Sequence, residues 1–178
     1  IRRRENTETT TEKSNKIKHK KSDKSFDVIH LILYLCNMRI VIQRVSRASV
    51  TINGHIKSAI GKGYMILLGI THNDTKEDAD WLIKKVVGLR VFEDENGVMN
   101  LPITDINGDI LVVSQFTLMA SYKKGNRPSY IHAASHDIAI PLYEYFCQAM
   151  SQAIGKDIGT GEFGADMKVE LINDGPVT

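Results

Sequence analysis

The stretch Met38-Arg-Ile-Val-Ile-Gln-Arg-Val45, continued by Ala48-Ser-Val-Thr-Ile52 and the pair Asn53-Gly54, decides the fold. The first segment is rich in β-branched residues and reads as a strand. The second alternates apolar and polar side chains, the period of a strand with one buried face. Asn-Gly accommodates the positive φ angles of a type I′ turn, so His55 to Ile60 is predicted to return as the second arm of a β-hairpin. Gly61-Lys62-Gly63 makes a further turn. Tyr64 to Ile70 is then an unbroken apolar run, as expected of a strand covered on both faces.

Toward the C-terminus the pattern changes period. Asp74-Thr-Lys-Glu77 reads as a helix start, with Asp74 as the cap and Glu77 reaching back. Ala79, Leu82, Ile83, Val86 and Val87 then follow helical spacing up to a stop at Gly88. Leu89 to Glu93 is predicted as a strand before the turn Glu95-Asn-Gly97. Ile110-Leu-Val-Val113 is a buried strand that runs straight into Ser114-Gln-Phe-Thr117, and a polar, basic loop follows over 119–130. A second helix is expected from near Asp137, with Leu142, Tyr145, Phe146, Ala149 and Ala153 as its buried stripe. Pro141 fits that helix only in its first turn, where the missing N–H is not needed. Gly159-Thr-Gly161 reads as a flexible connector, and Met167 to Ile172 as the last strand before Asn173-Asp-Gly-Pro-Val-Thr178. Hairpins mixed with two main helices imply an α/β chain: a mixed sheet or open barrel with the helices packed on it.

The 178 residues, 42% hydrophobic and 25% charged, suit one soluble domain with a tail. The tail is legible in the charge. Residues 1–37 hold nine Lys/Arg against five Asp/Glu, whereas 38–178 hold 14 against 16. The first segment also lacks apolar periodicity and is expected to be a disordered basic extension, with the working domain over 38–178. Its apolar run, Val28 to Cys36, is far shorter than the ~20 residues that span a bilayer. The long basic region before that run, and the absence of a small-x-small site after it, argue against a signal peptide. Two cysteines, Cys36 and Cys147, make neither a disulfide framework nor a four-thiolate zinc site. A reducing, cytoplasmic setting is the simpler reading.

Little familiar catalytic equipment is present. The six histidines, at 19, 30, 55, 72, 132 and 136, form no metal-binding pair on a helix. His132 and His136 are four apart but read as solvent-facing loop residues; a serine-type hydrolase would need a histidine base, and His72, His132 or His136 could serve. P-loop, GxGxxG and GxSxG signatures are absent. No metal and no cofactor are expected. Ser114 and Thr117 stand at the end of a buried strand, where a rigid element presents hydroxyls to a cleft, although such residues also simply end strands. Gly175-Pro176 is a bond that can be cis at modest cost, or an ordinary turn.

Taken together, Ser114-Gln-Phe-Thr-Leu118 and Asn173-Asp-Gly-Pro-Val-Thr178 resemble the two signatures of the D-aminoacyl-tRNA deacylase family. Met38 to Val45 followed by Arg47-Ala-Ser-Val-Thr51 resembles its opening, and Arg127-Pro-Ser129 and Gly164-Ala-Asp-Met167 resemble further landmarks. The resemblance spans 38–178; family members continue a few residues past the position of Thr178. It implies a homodimeric ester hydrolase that frees D-amino acids from tRNA as a chiral proofreader. It implies catalytic residues Ser114, Gln115, Phe116 and Thr117. A cis Gly175-Pro176 turn would enter the partner's active site to exclude L-amino acids, with Arg44 and Met167 in support. It also implies that the substrate's ribose 2′-hydroxyl, rather than a protein base, assists the reaction; the competing mechanism makes Thr117 a covalent nucleophile. Glycyl-tRNA, with no side chain to exclude, is expected to be cleaved too. Lys123, Lys124 and Arg127 are expected to meet tRNA phosphates. The rival readings are a nucleic-acid-binding module with 1–37 as a basic arm, and a hydrolase of simple esters.

Overall fold

The computed structural model describes residues 37–123 and 125–178. The N-terminal extension and Lys124 lie outside the described residues. Strand β1, Arg39–Ile52, is a single 14-residue strand rather than two. Strands β2, His55–Ile60, and β3, Gly63–Gly69, lie end to end along one edge of β1, both antiparallel to it. Strand β8, Met167–Asn173, pairs with the second half of β1 on its other edge.

A bulge explains how one long strand serves two cores. Against β8, Val45 pairs with Asn173 and Arg47 with Ile172, which leaves Ser46 without a partner. An extra residue reverses the faces of everything beyond it. Before the bulge, Ile40 and Ile42 pack on one core; after it, Ala48 and Val50 belong to the other.

Strand β6, Asp109–Ser114, runs parallel to β3, and β7, Gly159–Thr160, runs parallel to β6. A Cβ on Gly63 would stand 1.8 Å from the Asp109 carbonyl oxygen, so only glycine lets β3 and β6 start this close together. Residues 159–160, expected as a connector, are therefore part of the sheet: Thr160 and Ser58 exchange hydrogen bonds of 2.7 and 3.1 Å through the Ser58 hydroxyl. That link brings β7 back to β2 and nearly closes the barrel.

The connections carry two helices, α1 (Lys76–Val87) and α2 (His136–Ile154). They cover the sheet face formed by Tyr64, Ile66, Leu68, Ile110 and Val112. Met65, Leu111 and Val113 alternate to the other face and meet Val45, Ala48 and Val50. Both faces of β3 and β6 are thus dry, which accounts for their unbroken apolar runs. Each large apolar side chain fully buried there contributes about 1.5–3 kcal/mol.

Several local expectations shift. The α1 cap is Thr75, with the Asp78 carboxylate accepting its N–H at 2.8 Å. Asp74 instead turns inward and accepts the Thr71 N–H at 2.6 Å. The strand expected from Leu89 shortens to β4, Phe92–Glu93, paired with β5, Met99–Leu101. Helix α2 begins one residue early, so Pro141 lies in its second turn and removes one N–H from the helix. Its buried stripe is Ala139, Leu142, Tyr143, Phe146 and Met150, while Ala153 is exposed. Tyr143 turns inward because its hydroxyl donates to the Val112 carbonyl at 2.9 Å. No described helix is long and apolar enough to cross a membrane.

Candidate active site

Where β6 ends, its pairing with β3 continues for one more bond, from the Gln115 N–H to the Leu68 carbonyl at 2.7 Å. The chain then leaves the sheet and winds into a single 3-10 turn, Phe116–Met119. The Arg39 guanidinium fastens this turn by donating to the Leu118 carbonyl at 2.8 Å. The first N–H groups of such a turn, those of Phe116 and Thr117, have no acceptor within the turn itself.

A cleft of about 650 Å³ opens at this strand end. Ser114, Gln115, Phe116 and Met167 line it. Thr117 is not among the lining residues. Its hydroxyl accepts a hydrogen bond from the Gln115 side-chain amide, so it is partnered by an amide rather than by a base. Phe116 is 57% exposed and meets the edge of Tyr130, with ring centroids 5.0 Å apart. It is a surface aromatic at the cleft mouth, not core.

Two lining residues, Tyr130 and Phe163, were not singled out from sequence, and a third, His136, was named there only as one of three candidate bases. His136, read as a solvent-facing loop residue, opens α2 and lines the cleft, edge to face with Phe163 at 5.6 Å. Phe163 in turn packs against Tyr143 at 6.0 Å. Tyr130 completes the set from the loop before α2. Phe163 stands one residue before Gly164-Ala-Asp-Met167, and that proximity was the available signal.

Burial removes two groups from acid–base or nucleophilic duty. The Cys147 thiol is pushed up to about 11 by burial and stays protonated at neutral pH. Burial likewise raises the Tyr143 hydroxyl far above its ordinary value. Among the described residues, no group of three or more His, Cys, Asp or Glu is gathered to hold a metal ion.

The second signature forms a separate structure. Gly175-Pro176 is cis, and Gly175 has φ +145°. A Cβ there would stand 2.6 Å from Val177 Cγ2 and 2.8 Å from the Val177 nitrogen, so the position requires glycine. Arg44, only 6% exposed, holds the turn: Nε donates to the Asp174 carbonyl at 2.7 Å and Nη1 to the Val91 carbonyl at 2.6 Å. Its backbone adds bonds to Val177 and Asp174 at 3.1 and 2.8 Å. Within the turn, Asn173 Oδ1 accepts the Val177 N–H at 2.8 Å. Arg44 and Val177 border a different, apolar hollow beside Tyr64 and Leu89. Neither Gly175 nor Pro176 lines the Ser114 cleft, so one chain does not bring its two signatures together.

The expected tRNA-contacting residues are also apart from the cleft. Lys123 borders a polar hollow next to it, Arg127 is exposed on the loop, and Lys124 lies outside the described residues.

Comparison with known proteins places these features. The family described as D-Tyr-tRNA(Tyr) deacylase matches residues 41–178. The D-aminoacyl-tRNA deacylase of Phocaeicola vulgatus is 72% identical over 141 residues, covering 79% of this chain and 94% of that protein. The solved c-Myc DNA Unwinding Element Binding Protein superposes with a TM-score of 0.73 at 42% identity, over 78% of this chain and 93% of the other. A structure described as a probable eukaryotic D-amino acid tRNA deacylase shares the fold, with a TM-score of 0.68 at 18% identity over 78% and 95% of the two chains.

Proposed function

This chain belongs to the D-aminoacyl-tRNA deacylase family of ester hydrolases, and we propose that it rejects L-aminoacyl-tRNA with a main-chain surface supplied by a second copy of itself. The observation that carries this reading is the separation of the two signatures. The Gly175-cis-Pro176 turn is clamped by Arg44 but does not line the Ser114 cleft of its own chain. A homodimer in which each turn enters the other chain's cleft unites them.

The chemistry follows from the residue types. Hydrolysis joins a water oxygen to the ester carbonyl carbon and releases the ribose oxygen as a hydroxyl. Charge builds on the carbonyl oxygen, and N–H groups aimed at that point lower the barrier. The Phe116 and Thr117 amides at the strand end fit this task. No base partners the Thr117 hydroxyl, which supports the substrate's 2′-hydroxyl as the proton-handling group and disfavours a covalent threonine ester. Gln115 and Ser114 set the shape of the turn, and Met167 closes the cleft floor.

Selectivity comes from collision with the wrong enantiomer. A rigid glycine–proline surface leaves room for hydrogen at the α-carbon but not for an L side chain. Glycyl-tRNA passes the same filter and is cleaved as well. The acceptor end of tRNA is held by Lys123, Lys124 and Arg127, while residues 1–37 lie outside the catalytic domain. The enzyme works on aminoacyl-tRNA in the cytoplasm as translation quality control.

Deacylation of D-tyrosyl-tRNA, L-tyrosyl-tRNA and glycyl-tRNA, run side by side with sedimentation of the protein, tests this. The reading expects a dimer that cleaves the D and glycyl esters and spares the L ester. An active monomer, or equal cleavage of D and L esters, contradicts the shared-site filter.

A further inference from the structure

Beside the cleft lies a second hollow of about 450 Å³, bordered by Arg39, His72, Ser121, Lys123 and His132. Arg39, Lys123 and two imidazoles border it, and among the described residues no carboxylate does. Residues 38–178 carry more acidic than basic side chains, so this concentration of one sign stands out against the domain's own charge.

The hollow is built from segments fixed by backbone bonds. Ser121 and Ser129 exchange two N–H···O bonds of 2.8 Å, which close the loop bearing Lys123. Thr71 bridges Ala133, and the Ala134 N–H donates to the Ile70 carbonyl at 2.9 Å, which sets His132 beside His72. Arg39 spends one N–H on the Leu118 carbonyl; the remaining donors of its guanidinium fork make no other hydrogen bond among the described contacts. Asp137, at the start of α2, is the carboxylate whose field reaches His72, but it does not line the hollow.

The wall between hollow and cleft is one residue thick. Ile70 and Ala133 border the cleft, while their neighbours Thr71 and His132 border the hollow. The 3-10 turn separates the two in the same way, with Phe116 on one side and Met119 on the other. An RNA strand whose terminal adenosine sits in the cleft therefore passes this hollow with its next phosphodiester groups.

We propose that the hollow bordered by Arg39, His72, Lys123 and His132 is a phosphate seat for the single-stranded 3′ end of tRNA. It rests on the deacylase reading for where the adenosine lies, and it adds a site that reads backbone rather than base or amino acid. Such a seat suits an enzyme that must accept many tRNAs, because phosphate contacts carry no sequence information.

The test measures binding of adenosine, CpA and CpCpA to the full-length protein, and to His72→Ala and Lys123→Ala variants whose melting shows that they are folded. Wild-type affinity is expected to rise from adenosine to CpCpA. Each variant should lose about fivefold on CpCpA and nothing on adenosine. The salt slope of CpCpA binding should fall by about 0.7 for Lys123→Ala. Unchanged CpCpA affinity in both variants, equal losses on adenosine and CpCpA, or no gain from added phosphates in the wild type overturns the seat. Inorganic phosphate that binds alone and abolishes the difference between wild type and variants reassigns it to a free anion. Protein that gains affinity from each phosphate yet cleaves no D-ester keeps the seat and removes the hydrolase reading, so the two fail separately.

Discussion

Replacing Arg44 with methionine isolates the support of the Gly-Pro turn from the chemistry. Methionine keeps much of the apolar stem and removes the guanidinium fork. Two charge-assisted hydrogen bonds vanish, to the Asp174 and Val91 carbonyls at 2.7 and 2.6 Å. Each is worth about 1.5–3 kcal/mol. The longer pairings with Glu93 and Asp174, at 3.8 and 3.7 Å, involve exposed carboxylates and add little. The summed cost is about 3–6 kcal/mol, which corresponds to a fall in Tm on the order of 10 °C. The variant should stay folded at 25 °C, but its turn loses the side-chain bond that fixes Asp174 against β1. A displacement of about 1 Å at a reacting site costs up to ~100-fold, so kcat/KM for D-tyrosyl-tRNA should fall at least about tenfold. Protection of the L-ester should weaken in the same preparation. Arg44→Lys should not restore either, because an ammonium cannot span both carbonyls as the planar fork does. A folded Arg44→Met dimer with wild-type rate and wild-type rejection of L-tyrosyl-tRNA refutes the reasoning, whatever its Tm.

Further consequences are open to measurement. Thr117→Val should keep D-tyrosyl-tRNA hydrolysis within about threefold of wild type, about 0.7 kcal/mol in the barrier, with no acyl adduct by mass spectrometry; an adduct on Thr117 of the wild-type protein makes it the nucleophile. Gly175→Ala forces a side chain onto φ +145° against Val177; strain of about 1–3 kcal/mol should appear as turn disorder in NMR and reduced D-ester turnover, and an unperturbed turn counts against the close fit. Phe146→Ala empties a fully buried site beneath α2 and should cost about 3–5 kcal/mol in urea denaturation. Asp109 is held below the usual carboxylate range first by its hydrogen bond from Lys156, at 2.7 Å. A depressed folded value means its contribution is present above the unfolded value of about 3.9 and is lost as pH falls through the folded one. Asp109→Asn should therefore cost below about 1 kcal/mol at neutral pH and flatten the acid limb of the stability curve below about pH 4.

The sheet was largely legible because its signals are local. Asn53-Gly54 fixes a turn, and the apolar runs at Tyr64 and Ile110 fix strands dry on both faces. The Ser46 bulge was not legible, since an extra residue shows only when β8 lies alongside and the pairing slips. Gly159-Thr160 is too short, and too closely flanked by glycine, to read as a strand; its pairing is imposed by β6 and by the Ser58 hydroxyl. The α2 stripe rotated because a tyrosine hydroxyl found a carbonyl to bond on β6, a tertiary fact without periodic trace. At the site, the Ser114 hydroxyl could be read because a buried strand must end somewhere exposed, whereas Gln115 and Phe116 were carried by the family resemblance of the motif. His136, Tyr130 and Phe163 could not be placed there, because only the tertiary fold brings the segment 130–136 and Phe163 to the end of β6.

The central claim is that two chains complete one chiral filter. A mixed dimer tests it most directly, pairing one subunit that carries Gly175→Ala with one that carries a disruptive substitution at Gln115, each impaired as its own homodimer. If the turn acts across the interface, one of the two clefts in the mixed dimer joins an intact Gln115 side to an intact partner turn. About half of the wild-type D-tyrosyl-tRNA activity per dimer should return, with L-tyrosyl-tRNA still spared. Mixed dimers that form and remain inactive contradict the shared site, because a turn serving its own cleft leaves both clefts broken.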